Sequence, residues 1–319
     1  MIDSHVHLFT ASQLEQLAWM TPDNVLYACH GPEQYAAASK SSAVDGYLVV
    51  EADWRHTTTD FCGPLEEFKY YASLIHSAHQ PPIKALIPWA PLPWGSETVA
   101  SFLAAMENAD QAVYKSHVRG VRFLVQDLES GSMSSFTNAM KLLAERGLVA
   151  DVGVKVRGAK PGPSPVYQVE EALEMVKSSP ETRYVFDHLC KPDLQIPNND
   201  LESNEIFKGY GRVMRQLAKY DTYIKLSGGF SELLPSVALS SEADVAEAIF
   251  PWVKVVFSAF GARRVMFGSD WPVSTIAGGS NAILRWKTVC KLLLGRFALS
   301  DDECESVWTA TALKAYNIC

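Results

Sequence analysis

The chain alternates short apolar runs with longer segments in which apolar residues recur every three or four positions. The short runs are rich in Val, Ile and Leu, which is typical of strands in a parallel sheet buried on both faces. They predict eight strands, over Ile2–Leu8, Gly46–Glu51, Ile83–Trp89, Val118–Leu124, Leu148–Val154, Tyr184–His188, Tyr223–Ser227 and Val265–Asp270. The longer segments have the period of amphipathic helices. They predict helices over Pro32–Lys40, Pro64–Ala78, Ser96–Ala109, Ser135–Arg146, Tyr167–Lys177, Glu202–Tyr220, Ala243–Phe260, Ala282–Leu294 and Asp301–Tyr316.

Strands that alternate with helices indicate an α/β fold with a parallel sheet. Eight such units in series favour a closed (β/α)8 TIM barrel over a doubly wound sheet, which would usually carry a glycine-rich phosphate loop after its first strand. The sequence after Ile2–Leu8 contains no such loop. We therefore predict one distorted barrel domain over residues 1–319, with loop insertions at Phe9–Ser42 and Lys160–Pro165.

Composition narrows the range of partners and compartments. The chain has 28 Lys and Arg against 36 Asp and Glu, a formal net charge of -8, which argues against a nucleic acid or an anionic membrane as partner. The six cysteines are scattered without C-x-x-C spacing, and no signal peptide precedes the first strand. We therefore expect reduced thiols, a cytoplasmic location and a small-molecule substrate. The sequence leaves the oligomeric state open.

Polar residues stand at the C-terminal ends of three predicted strands, where a barrel of this type places its active site. His5 and His7 end the first strand, His188 the sixth and Asp270 the eighth. Because side chains alternate along a strand, His5 and His7 share a face and can chelate a divalent metal. We predict a metal site at His5, His7 and Asp270, with His188 and Asp270 as catalytic residues. For Asp270 the structural alternative is a helix N-cap. The same alternation predicts that Asp187 points away from His188 and is structural.

Five further residues are candidates for substrate contact, and each has a structural alternative. Glu51 could be a metal ligand, bond a substrate hydroxyl or form a salt bridge. The guanidinium of Arg122 suits a carboxylate or a lactone carbonyl, or a neighbouring barrel carboxylate. Lys191 is either an anion contact or a solvated loop residue. His30 lies in the long first loop, and Trp271 is one of several tryptophans that could wall a ring substrate or belong to the core.

Four motifs carry a family resemblance: D-S-H-V-H-L from Asp3, D-H-L-C-K-P from Asp187, K-L-S-G from Lys225 and F-G-S-D-W-P from Phe267. Together they resemble the amidohydrolase superfamily, and more narrowly its amidohydrolase-2 branch, which includes sugar-lactone and pyrone-dicarboxylate lactonases. The stretches T-P-D-N-V-L-Y and V-V-E-A-D are similar to rhamnono-lactonase-like fungal members. The resemblance runs over nearly the whole chain.

The resemblance implies a distorted (β/α)8 barrel that hydrolyses a lactone or a related ester-like bond. His5, His7, His188 and Asp270 match the superfamily's functional motifs. Members with two metals carry a His at the end of strand 5 and a carboxylated Lys on strand 4. The predicted fifth strand has no His. The resemblance is therefore compatible with one divalent ion, zinc or similar, or with none.

The mechanism predicted from these residues is lactone hydrolysis, with Asp270 taking a proton from water. The ring carbonyl would be polarised by His188, by Arg122, or by a single ion on His5 and His7 with Asp270. Two alternatives stay open at this point. One is a metal-dependent decarboxylase of the same superfamily, and the other is a barrel that binds a metabolite without turning it over.

Overall fold

A computed structural model of the chain describes residues 1–156, 158 and 160–319. Its eight strands are β1 (Ile2–Val6), β2 (Gly46–Val50), β3 (Ile83–Ile87), β4 (Gly120–Leu124), β5 (Val149–Gly153), β6 (Tyr184–Phe186), β7 (Thr222–Leu226) and β8 (Val265–Phe267). Strands β1 to β3 pair in parallel, as do β4 to β8. Parallel bridges from Leu86 to Val118 and from Val6 to Trp271 join the two sheets at both edges. The predicted closed barrel is therefore confirmed.

Helices follow the strands and cover the outside of the barrel. They are α1 (Pro32–Ser39), α2 (Cys62–His76), α3 (Ser96–Ala109), α4 (Gln111–His117), α5 (Thr137–Glu145), α6 (Tyr167–Ser178), α7 (Glu205–Leu217), α8 (Gly229–Glu232), α9 (Pro235–Ala238), α10 (Glu242–Phe260), α11 (Thr275–Gly278), α12 (Ala282–Leu294), α13 (Asp301–Glu305) and α14 (Thr311–Ala315). Each helix predicted from periodicity is present, with ends shifted by a few residues. The last one is divided by a π-helical turn at Ser306–Ala310. Helix α4 was not predicted, and Asp110 begins it by accepting a hydrogen bond from Val113 N.

Every predicted strand except the fourth extends past its observed C-terminal end, the first by two residues, so His7 follows β1. The sixth was expected to end at His188 and the eighth at Asp270, but β6 ends at Phe186 and β8 at Phe267. His188 and Asp270 have φ values of 52° and 59°, in the left-handed region. Residues in that conformation leave the extended ladder, so the strand ends before them. The two side chains are carried by turns above the sheet rather than by the strands.

The barrel interior is apolar at one end and charged at the other. Alternate strand residues such as Leu48, Val149 and Met266 pack with Ala312 and Tyr316 of the C-terminal segment, which closes the N-terminal end of the barrel. The opposite strand faces pack against the outer helices in a larger core. Charged side chains inside the barrel therefore lie towards the C-terminal strand ends.

Two observations bear on the environment of the chain. None of the described helices combines the length and the apolar character that crossing a membrane requires. All six cysteines are free thiols in the described part of the chain.

Candidate active site

Four buried side chains meet at the C-terminal mouth of the barrel. We call His5, His7, His188 and Asp270 the polar quartet. The Nε2 atoms of His5 and His7 lie 3.2 Å apart. Oδ1 of Asp270 lies 3.8 Å from Nε2 of His5 and 3.7 Å from Nε2 of His7 and of His188. The side chains predicted from the sequence thus converge on one carboxylate oxygen.

The end of β1 and the turn after β8 are joined by backbone hydrogen bonds. The amide of Asp270 donates to His5 O at 3.0 Å, and the amide of His7 donates to Trp271 O at 2.8 Å. The left-handed conformation of Asp270 turns its carboxylate towards the histidines. Its backbone oxygen, not its side chain, accepts from Ser274 N. The N-cap alternative therefore does not describe this side chain.

A strained turn delivers His188 to the site. Residues His188, Leu189, Cys190 and Lys191 all have positive φ, between 44° and 62°. A run of non-glycine residues in this region costs free energy, and such strain persists only where the surrounding structure holds it. Ser227 Oγ lies 2.8 Å from His188 Nδ1 and fixes the ring. The turn points both His188 and Lys191 into the same cavity.

This turn also explains why the prediction for Asp187 was wrong. Asp187 was expected to face away from the site, on the alternation of an extended strand. Instead its Oδ1 lies 3.2 Å from Nδ1 of His5, and the carboxylate is fully buried. Because the strand ends before His188, the period of two no longer applies, and consecutive side chains can both face the barrel interior.

His5, His7 and Asp270 form a suitable donor set for a divalent cation. A tetrahedral zinc site with bonds of about 2.0–2.1 Å has its donor atoms about 3.3–3.4 Å apart, close to the separations seen here. Nδ1 of His7 donates to Glu51 O at 2.8 Å, which leaves the lone pair of His7 Nε2 directed at the site. Imidazole nitrogen and carboxylate oxygen are the ligands that zinc accepts. These three residues therefore fit one metal ion.

A second grouping, His5, Asp187 and His188, has comparable spacing but a different charge environment. Asp187 already has two cationic partners: Lys225 Nζ lies 3.0 Å from its Oδ1, and Arg122 Nε lies 3.0 Å from its Oδ2. A metal ion there would face two positive charges at close range. The geometry therefore favours His5, His7 and Asp270.

Burial and neighbouring charges set the ionisation of the quartet. Burial lowers the pKa of His188 to about 4, against the opposing effect of Asp270 and Asp187. Burial and the charge of Lys225 hold the pKa of His5 well below its ordinary value. Burial raises the pKa of Asp270, but the nearby histidines outweigh it, so the net pKa lies below the ordinary value. At neutral pH the site combines an ionised carboxylate with neutral His5 and His188.

The quartet opens onto a cavity of about 240 Å³. Of the five predicted substrate contacts, Glu51, Arg122 and Lys191 line this cavity. His30 and Trp271 do not belong to the lining: their rings pack edge to face, with centroids 5.3 Å apart, and Trp271 also contacts Tyr35. Trp271 therefore belongs to the core, as its structural alternative predicted, and His30 packs against it.

Arg122 is held by carboxylates on two sides. Its Nη1 lies 3.1 Å from Glu51 Oε1, and its Nε faces Asp187 as described above. Burial raises the pKa of Glu51 to about 7, although Arg122 opposes this. The salt-bridge alternatives for Glu51 and Arg122 are therefore realised, while both side chains still line the cavity.

Several residues of the site were not predicted from the sequence. Lys225 and Asp151 lie inside β7 and β5, fully buried, and form an ion pair of 2.7 Å. Ser227 orients His188, and Asp53, with a φ of 58°, lines the cavity. The available signal was a charged residue in the middle of an otherwise apolar strand, since such a residue must face a buried partner.

The predicted insertion at Lys160–Pro165 lines a second, wider cleft of about 780 Å³. This outer cleft shares Lys191 and Glu232 with the cavity of the quartet. The two spaces are therefore neighbours, since both are lined by Lys191 and Glu232.

Comparisons with known proteins agree with this geometry. A family model described as amidohydrolase matches residues 2–318. The chain is 30% identical to an L-rhamnono-gamma-lactonase of Scheffersomyces stipitis, with 100% of this chain and 98% of that protein covered. It is also 30% identical to an L-fucono-1,5-lactonase of Burkholderia ambifaria, over 46% of this chain and 45% of that protein.

Among solved structures, the fold is similar to an amidohydrolase from Burkholderia multivorans solved with bound zinc. The TM-score is 0.77 at 22% identity, with 100% of this chain and 99% of that chain covered. The chain belongs to the amidohydrolase family, as the family model and the full-length relative show. The family resemblance of its four sequence motifs is thereby confirmed.

Proposed function

We propose that the protein is a hydrolase that opens the ring of a sugar lactone. The observation that carries the proposal is the ionised carboxylate of Asp270 facing three imidazoles in a cavity of about 240 Å³. The relatives named as lactonases support this substrate class, and one of them covers the whole chain. A small polyhydroxylated ring suits the polar lining supplied by Glu51, Asp53 and Gln126.

Asp270 is proposed as the general base. One of its oxygens faces the histidines, which leaves the other to take a proton from a water molecule. That water oxygen bonds to the lactone carbonyl carbon, and the carbonyl electron pair moves to its oxygen. When the tetrahedral intermediate collapses, the ring C–O bond breaks. The proton on Asp270 then passes to the ring oxygen, giving a hydroxy acid.

His188 and Lys191 are proposed to stabilise the negative charge that forms on the carbonyl oxygen. Both reach the cavity from the strained turn after β6. Hydrogen-bond donors that are already in place around a developing oxyanion lower the activation barrier of the reaction, because they need not reorganise as the charge forms. Arg122, already paired with two carboxylates, is proposed to set the charge of the cavity wall.

His5, His7 and Asp270 are proposed to hold one divalent ion, zinc or similar. Such an ion, when bound, lowers the pKa of a bound water and polarises a carbonyl. The matching donor separations and the free lone pair of His7 Nε2 support this assignment. The low pKa of Asp270 makes its carboxylate a weak base by itself. A divalent ion that lowers the pKa of the water would make proton transfer to this carboxylate easier.

The proposal is tested with a panel of γ- and δ-aldonolactones, following acid release by the purified untagged protein with and without chelator. Asp270→Asn is expected to lower kcat by about 10²- to 10⁴-fold while the melting temperature is retained. Asp200→Asn, at an exposed residue outside the cavity lining, is the matched control. Near-normal rates in Asp270→Asn would refute the mechanism.

Release of carbon dioxide from a carboxylated substrate, with no lactone opened, would indicate the decarboxylase instead.

A cytoplasmic location is also proposed, supported by the six free thiols. Measurement of these thiols in protein isolated from its own cells tests this. The expectation that the chain binds neither nucleic acid nor membrane stays a prediction from its net charge.

A further inference from the structure

The strained turn after β6 contains two backbone hydrogen bonds of its own. Cys190 N donates to Asp187 O at 2.7 Å, and Lys191 N donates to His188 O at 2.8 Å. Each bond joins an amide to the carbonyl three residues earlier, which is the spacing of a 3₁₀ turn. Because the residues from His188 to Lys191 all have positive φ, this turn is left-handed.

The next hydrogen bond in this series cannot form. It would join the amide of residue 192 to Leu189 O, but residue 192 is a proline, which has no N–H. Leu189 is buried, and a buried carbonyl that lacks a donor costs free energy. The turn therefore needs a hydrogen-bond donor from another part of the fold.

Tyr210, on helix α7, supplies this donor. Its hydroxyl donates to Leu189 O at 3.0 Å. Tyr210 is fully buried, and its ring packs edge to face against Trp252 of α10, with centroids 5.2 Å apart. The hydroxyl is therefore held against the turn by two outer helices of the barrel.

The strain of the turn makes this single hydrogen bond important for the site. Four consecutive non-glycine residues with positive φ persist only where the surrounding structure holds them. The peptide between Leu189 and Cys190, whose carbonyl oxygen Tyr210 binds, lies between His188 and Lys191. If this peptide reorients, both of those side chains change direction.

We propose that Tyr210 is a positioning residue for the reaction. Its hydroxyl takes the place of the amide that Pro192 lacks, keeps the turn in its left-handed form, and so directs His188 and Lys191 into the cavity. Tyr210 itself does not belong to the cavity lining, so it is not placed to touch a substrate. The inference rests on the proposed function for the roles of His188 and Lys191, but not on which lactone is opened.

The test is the steady-state kinetics of Tyr210→Phe in the full-length protein, with the best lactone of the panel as substrate. This variant removes one oxygen atom and keeps the ring against Trp252, so the fold is retained. We expect kcat to fall by about 10-fold, the size of effect that follows when a buried carbonyl loses its donor. KM should change little, because His188 and Lys191 act on charge that develops in the transition state.

Tyr184→Phe is the matched control. Tyr184 is also a fully buried tyrosine, and its hydroxyl contacts Ser179 rather than the turn. Both variants should lower the melting temperature by similar amounts, since each loses one buried hydrogen bond. Only Tyr210→Phe should lower kcat.

A second readout separates positioning from structural support alone. In imidazole ¹⁵N NMR spectra, the ring signals of His188 are identified by their loss in His188→Gln. These signals should shift in Tyr210→Phe and keep their parental positions in Tyr184→Phe. If either kcat or the His188 signals are unchanged in Tyr210→Phe, the proposal is overturned, while lactone hydrolysis by the parent protein stands.

A parent protein that opens no lactone of the panel would instead refute the proposed function. The NMR comparison by itself would then decide whether Tyr210 positions His188, because it requires no turnover.

Discussion

Arg122 Nη1 lies 3.1 Å from Glu51 Oε1, and the two buried side chains form part of the cavity wall. Arg122 lies in the middle of β4 and Glu51 directly follows β2, and these two strands do not pair with each other, so the contact forms only when the barrel brings them together. Removing one partner of such a pair leaves an uncompensated buried charge, which is far more costly than losing an exposed ion pair.

Arg122→Met is expected to lower the free energy of unfolding by about 3–5 kcal/mol, because Glu51 and Asp187 both lose a cationic partner. Urea denaturation measures this. Arg212→Met is the control, since Arg212 is exposed and pairs with Glu170 at the surface. If both variants lose the same small amount of stability, the Arg122 pair does not hold the barrel mouth together.

Gly228→Ala is expected to lower activity strongly by displacing the ring of His188. Gly228 has a φ of +65°, and a Cβ there would lie 2.6 Å from Cγ and Nδ1 of His188. Gly147→Ala is a matched control, since Gly147 has a φ of +67° but a Cβ there would meet nothing within 4 Å. Both variants carry the same backbone strain, of about 1–2 kcal/mol. Steady-state kinetics therefore isolates the contact with His188, and equal activity in the two variants would count against its role.

Lys191→Met is expected to lower kcat/KM by about 10- to 100-fold, chiefly through kcat, because the developing oxyanion loses one charge-assisted hydrogen bond of about 1.5–3 kcal/mol. Lys191 Nζ donates to the neutral Gln126 Oε1 at 2.7 Å and lines the cavity. A larger loss in kcat than in KM would indicate a contact made chiefly in the transition state. Lys177→Met, on the outer surface of α6, is the control. Unchanged kinetics in Lys191→Met would remove this residue from the substrate site.

Glu67→Gln is expected to become more stable than the parent protein as pH rises. Burial, followed by the charge of Glu51, holds the pKa of Glu67 well above its ordinary value of 4.5. Between the unfolded and folded pKa values the folded parent binds more protons, so its free energy of unfolding falls as pH increases through that interval. Glutamine is neutral throughout and keeps the oxygen that accepts from Ala52 N and Tyr71.

Chemical denaturation of both proteins at several pH values from 4 upwards, a range of about four units, measures this difference. The two proteins should be most similar in stability at the acidic end, below the ordinary pKa of the glutamate. A stability difference that does not change with pH would mean that Glu67 has the same proton affinity in the folded and unfolded chains.

The sequence by itself determined the order of the strands and helices. It also indicated that the functional side chains would lie at the C-terminal ends of the strands. Apolar runs must be buried and amphipathic segments must cover them, so eight alternations led directly to a barrel. In the same way, His5 and His7 two residues apart had to share a face. These are properties of local periodicity, which can be read along the chain.

Only the tertiary structure decided how the charges inside the barrel are paired. Lys225 and Asp151 are 74 residues apart and meet because β7 and β5 face the same interior. The left-handed turns at His188 and Asp270, which bring Asp187 inward and aim the carboxylate of Asp270, contain no glycine at those positions to announce them. Such contacts depend on barrel closure and on strain that the surrounding packing holds, and neither leaves a periodic signal in the sequence.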